Sequence, residues 1–95
     1  MTENAIQISA EQVPSIANGY RLQFEDAQDT WVLLYPEGMV KLNPSASEIL
    51  QRCDGQATVS TIIEKLETAF ETSGLTKDVH SFLAIACEQH WITLE

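Results

Sequence analysis

The apolar pattern of the chain changes period once, at Asn43-Pro44, and that change restricts the fold more than any other feature. Before it, Tyr20, Leu22 and Phe24 alternate with Arg21, Gln23 and Glu25, the period of a strand with one face on a core. Asp26-Ala27-Gln28-Asp29 supplies polar turn residues. Trp31-Val32-Leu33-Leu34-Tyr35 is a β-branched and aromatic run halted by Pro36. Glu37-Gly38 makes a short turn, and Met39-Val40-Lys41-Leu42 reads as a third strand. Connections this short join neighbouring antiparallel strands, so a meander is expected.

After Asn43 the period is helical. Asn43 suits an N-cap and Pro44 the first helical position, with Ser45 and Glu48 offering an alternative capping box. Ala46, Ile49, Leu50 and Cys53 then fall on one helix face, and Asp54-Gly55 ends the element. Thr58 caps a second helix striped by Val59, Ile62, Ile63, Leu66 and Phe70, which Ser73-Gly74 stops. Thr76 is placed to cap a third, with Asp78 in its first turn and a stripe of Val79, Phe82, Leu83, Ala86 and His90. Trp91-Ile92-Thr93-Leu94 closes the chain as a short strand or as the helix end. Residues 1–19 show no sustained period and read as a loosely ordered, flexible arm whose apolar handles are Ile6, Ile8, Val13 and Ile16. The expectation is one domain over residues 20–95, of class α+β. It is a three-stranded antiparallel sheet followed by three helices, like a winged helix-turn-helix with its wing in front.

Charge narrows the function. Fourteen acidic residues against five basic ones give a net charge of −9. Nucleic-acid binding needs clustered Lys and Arg to displace phosphate counterions, whereas Arg21, Lys41, Arg52, Lys65 and Lys77 stand singly. The same scatter argues against anionic membranes, and no apolar run reaches the ~20 residues of a spanning helix. Met1-Thr2-Glu3-Asn4 has neither a basic nor an apolar signal region, so a cytoplasmic protein is expected. Cys53 and Cys87 then read as reduced thiols that pack as small hydrophobes.

No constellation carries catalysis. His80, Cys87 and His90 share the third helix, but a metal site needs three or four ligands at tight spacing, so no metal is expected. Glycine-flanked serine, phosphate loop and Cys–His nucleophile patterns are all lacking, and Glu25, Asp26 and Asp29 read as solvated turn carboxylates. The informative features are surfaces. If Leu22, Phe24, Val32, Leu34, Val40 and Leu42 face the helices, Trp31, Leu33, Tyr35 and Met39 face outward as an apolar patch. That patch is either a partner or homodimer surface or a face covered by the arm. The third strand ends the meander, so its edge is open to strand addition by an extended peptide. A winged-helix nucleic-acid binder or a structural scaffold is the alternative.

From Tyr20 to Gly55 the sequence resembles the PqqD family. The likeness is carried by Tyr20-Arg21-Leu22-Gln23-Phe24-Glu25 and by the run from Trp31 to Asn43 (WVLLYPEGMVKLN). Ser45-Ala46, Glu48-Ile49-Leu50 and Asp54-Gly55 follow at the family spacing. The resemblance implies a protein of pyrroloquinoline quinone (PQQ) biosynthesis without catalysis or cofactor of its own. It would bind the precursor peptide PqqA and present it to the radical S-adenosylmethionine enzyme PqqE. It further implies that the peptide adds to the third strand of the meander and packs on the third helix. Peptide contacts would then fall at Met39, Val40, Lys41 and Leu42, and at Lys77, His80, Ser81, Ala84 and Ile85.

Overall fold

The computed structural model describes residues 7–95. The elements run β1 (Pro14–Ile16), β2 (Arg21–Glu25), β3 (Thr30–Tyr35), β4 (Gly38–Lys41), α1 (Pro44–Gln51), α2 (Val59–Ala69), α3 (Thr76–Glu88) and β5 (Ile92–Leu94). β2, β3 and β4 form an antiparallel sheet in that order, and three helices follow it, the α+β arrangement expected. Among the described residues no helix is long and apolar enough to cross a membrane.

The helix signals act as their chemistry dictates. Asn43 Oδ1 accepts from the Ala46 N–H at 2.8 Å, with Pro44 behind it at the first helical position. Thr58 Oγ1 accepts from the Thr61 N–H at 3.1 Å and starts α2. Each cap satisfies one of the donors that a helix start leaves unpaired. The third helix departs from expectation. Its cap is Leu75, which has no side-chain cap bond; Thr76 already lies inside the helix. The Leu75 N–H is instead taken by Glu67 Oε2, at 3.0 Å from α2. One apolar cluster joins the sheet to the helices, with Leu42, Leu50, Val59, Ile62 and Leu83 among its buried members.

Two stripe residues leave the core. Phe70 is the C-cap of α2 and is 53% exposed. His90, expected on the buried or rim face of α3, lies past its end, exposed, at φ +67°. The Trp91 N–H donates to Ala86 O at 2.9 Å and the His90 N–H to Cys87 O at 3.0 Å, the paired bonds of a left-handed helix stop. Glycine tolerates that backbone where a side chain is strained. His90→Gly is therefore expected to stabilise the fold by about 1 kcal/mol, read as a higher urea midpoint at unchanged slope. An unchanged or lower midpoint would contradict this account of the helix stop.

The arm differs most from its reading. Pro14 is fully buried, and Pro14–Ile16 pair antiparallel with Ile92–Leu94 as a second, two-stranded sheet. The arm also crosses the α1–α2 connection: the Gly55 N–H donates to Pro14 O at 3.0 Å and the Val59 N–H to Gln12 O at 2.9 Å. Gly55 suits this crossing, because its φ is +79° and a Cβ there would meet Ser15 Cβ at 3.4 Å. A strand of 3 residues is too short to display a period, which is why it reads as loose chain. Residues 1–6, Ile6 included, lie outside the described residues.

The sheet faces also need correction. Cross-strand partners share a face, and Leu22 pairs with Leu33, which pairs with Val40. Leu33 is fully buried, and Leu22, Trp31 and Val40 pack against the helical core. Trp31, Leu33 and Tyr35 thus face inward, contrary to the expected partner or dimer surface. Trp31 meets Phe24 edge-on with ring centroids 5.6 Å apart, and Tyr35 lies 5.5 Å from Tyr20. The outer face carries Val32, Leu34 and Met39 instead, beside Arg21, Gln23 and Lys41. β3 is apolar in nearly every position, and Val32 is buried although it faces outward, so this strand has no alternation from which to read its orientation.

Candidate functional site

The open edge is the site that the fold builds most directly. The Leu42 N–H donates to Trp31 O at 3.0 Å, so these two residues form a hydrogen-bonded pair. In an antiparallel ladder such pairs alternate with non-bonded ones. Counting back through the register, Val40 bonds to Leu33, whereas Met39 and Lys41 stand opposite Leu34 and Val32 without bonding them. Their N–H and C=O groups therefore point away from the sheet, along the free edge of β4. Among the described residues no backbone bond beyond the ladder reaches either residue. Met39 is 42% exposed and Lys41 is exposed, so nothing on their side chains closes the approach.

The strand residues named from sequence thus divide. Met39 and Lys41 have free main-chain groups, while Val40 turns its main chain to β3 and its side chain toward the core. Leu42 departs from expectation: it is 5% exposed, and its carbonyl accepts from Thr30 Oγ1 at 3.1 Å. Its alternation within the run makes it an inward residue, which tells against a peptide contact there. On α3, Lys77, Ser81 and Ile85 are exposed, Ile85 by 52%, and His80 and Ala84 are half-buried. They lie on the side of the helix away from its buried Val79, Leu83 and Ala86.

Sequence reasoning missed a cleft of about 320 Å³ where the start of α1, the end of α2 and the start of α3 meet. Its lining draws on residues distant in sequence, and the signal that would have helped is Phe70, an aromatic at the last position of its stripe.

The cysteines and histidines do not gather. Cys53 is buried and its Sγ donates to Ile49 O at 3.3 Å, Cys87 is half-buried, and His90 is exposed. Among the described residues no group of three His, Cys, Asp or Glu side chains is placed to hold a metal ion. Burial, then the neighbouring Asp54 carboxylate, pushes the Cys53 thiol from 9.0 up to about 12. Asp54 itself is held below the usual carboxylate range by the Ala57 and Gln56 N–H groups. The raised thiol sets a pH window. The folded state resists losing that proton, so its stability is intact below the unfolded value of 9.0 and declines as pH rises toward about 12. Removing the thiol with Cys53→Ala should flatten this alkaline decline in urea midpoints, and an equally steep decline in the variant would refute the assignment.

A three-stranded antiparallel sheet followed by three helices has a solved counterpart. The fold is shared with the solution NMR structure of the PqqD truncation of Methylobacterium extorquens PqqCD. That protein is described as a functional, stand-alone recognition element for ribosomally synthesized and post-translationally modified peptides. The TM-score is 0.76 at 28% identity, over 90% of this chain and 94% of the other. The class is therefore that of the small recognition-element domains. Residues 30–92 match the family model of Coenzyme PQQ synthesis protein D (PqqD). A PqqA binding protein of Pseudomonas aeruginosa (strain UCBPP-PA14) is 50% identical over 88 residues, 92% of this chain and 96% of its own length. Another, of Acinetobacter baumannii (strain SDF), is 46% identical over 92 residues, 96% of this chain and 98% of its own length. The chain belongs to the PqqD family.

Proposed function

We propose that this chain is a non-catalytic, cytoplasmic peptide chaperone of PQQ biosynthesis, which binds the precursor peptide PqqA and presents it to the radical S-adenosylmethionine enzyme PqqE. The observation that carries the reading is the free main chain of Met39 and Lys41 on the β4 edge. Relatives that are half identical over nearly the whole chain are named for PqqA binding, which supports the choice of peptide. An extended segment laid on this edge gains main-chain hydrogen bonds at both residues, while neighbouring side chains supply selectivity. The exposed side of α3, with Lys77, His80, Ser81, Ala84 and Ile85, is the second wall of the proposed groove.

Holding the peptide raises its local concentration at the enzyme, which accelerates encounter without chemistry by the chaperone. A chaperone that must hand on its cargo suits micromolar affinity, on the order of 8 kcal/mol. The same free edge offers a route to a homodimer by self-pairing, in competition with the peptide.

A ¹⁵N NMR titration with PqqA tests the reading. Amide shifts centred on Met39 and Lys41, with others along α3, are the expected result. β2 is the other edge strand, and the register leaves Leu22 and Phe24 facing its free side. Shifts confined to those two residues would move the site to that edge, and no shifts at several-fold peptide excess would sink peptide binding altogether.

A further inference from the structure

We propose that the cleft at the start of α1 receives one large apolar side chain of the bound precursor peptide, flanked in the peptide by a lysine or arginine. This rests on strand addition at β4 and extends it by naming a specificity pocket beyond the paired edge. The cleft is lined by Pro44 and Ser45 of α1, Leu66 and Phe70 at the end of α2, and Leu75 and Val79 around the start of α3. Leu66 and Val79 form a buried apolar floor at 3% and 2% exposure, while Phe70 stands 53% exposed at the rim. A volume of about 320 Å³ is at the small end of ligand pockets, sized for a side chain rather than a cofactor.

Two further observations choose the occupant. The first is continuity. Pro44 follows Lys41 after only Leu42 and Asn43, and extended chain advances about 3.3–3.6 Å per residue. A strand seated against Met39 and Lys41 therefore reaches the cleft within a few further residues, with no second binding event. The second is charge. Among the described residues, the charged ones lining the cleft are Glu48 and Asp78, with no lysine or arginine beside them. Glu48 is already held by Arg52 at 2.9 Å, which leaves exposed Asp78 as the carboxylate facing an incoming cation. An apolar floor beneath an acidic rim discriminates for an anchor beside a basic residue and against one beside an acidic residue.

The test is calorimetric and NMR titration of PqqA into the wild-type chain and two variants, Ser45→Phe and Asp78→Asn. Ser45 is exposed at the cleft mouth, so phenylalanine there plugs the opening from outside the core. The expected result in the wild type is a set of shifts at Leu66, Phe70 and Val79 in addition to those at Met39 and Lys41. Ser45→Phe should weaken PqqA binding about tenfold while keeping the β4 shifts, as loss of a buried anchor does. Asp78→Asn should weaken it about threefold and reduce its salt dependence. Unchanged affinity in Ser45→Phe, with shifts at β4 alone, would overturn the pocket and leave strand addition standing. Absence of β4 shifts in the wild type would remove strand addition, and the pocket with it. Should Ser45→Phe fail to give a folded spectrum, Asp78→Asn decides, and unaltered affinity and salt dependence there overturn the proposal.

Discussion

Replacing Lys41 with proline is expected to weaken PqqA binding about a hundredfold and leave the domain folded. Proline has no N–H and fixes φ near −65°, and in sheets it is tolerated at an edge where the N–H faces outward. Position 41 meets that condition, since its partner Val32 lies in a non-bonded pair and the ladder bonds run through Val40 and Leu42. The preceding Val40 is already in a strand, the conformation that a following proline requires. An incoming peptide loses a donor for one of its carbonyls and meets the ring where its backbone should lie. Stranding a carbonyl in this way costs about 1–3 kcal/mol, and the steric clash adds to it, so a loss on the order of a hundredfold is expected. Lys41→Ala is the control: it keeps the N–H and should bind within a few-fold of the wild type. Calorimetry decides between them, with circular dichroism confirming the fold. Undiminished binding by a folded Lys41→Pro chain would exclude strand addition at β4.

The second large effect separates the two faces of the sheet. Leu33→Ala empties a fully buried site on the inward face of the sheet and is expected to cost about 3 kcal/mol, within the 2–5 kcal/mol range of such truncations. Leu34→Ala removes a half-buried side chain from the outer face and should cost less than about 1 kcal/mol. In a domain of this size the first lowers Tm by more than about 10 °C and the second by only a few degrees. Equal costs, or the reverse order, would mean that β3 presents its other face to the core.

How far the fold and site were legible follows from the range of each interaction. Asn43, Pro44 and Thr58 mark helix starts through bonds within a few residues, so two of the three starts could be read directly. The start of α3 could not, because its free N–H is met by Glu67 from the preceding helix across the α2–α3 turn. The meander was legible from its turns, but the facing of β3 was not, because Val32 and Leu33 are both buried and only the partners Leu22 and Val40 identify the inward one. Strand order alone leaves two open edges, β2 and β4, and the choice of β4 as the proposed peptide edge came from the family resemblance. Choosing Met39 and Lys41 over Val40 and Leu42 required the hydrogen-bond alternation, and the cleft required three helix ends to be placed together.

The β1–β5 ladder has a consequence for how the chain is made. Ser15 and Thr93 meet side chain to side chain at 3.1 Å across a sequence separation of 78 residues. During synthesis from the N-terminus, the first strand meets the Gly55 N–H of the α1–α2 connection well before its ladder partner Ile92–Leu94 has left the ribosome. The meander and helices form from near neighbours, whereas this ladder is a long-range closure of the kind that slows folding. The ladder therefore closes last, and a nascent chain stalled before Ile92 would hold its first strand by the α1–α2 connection alone.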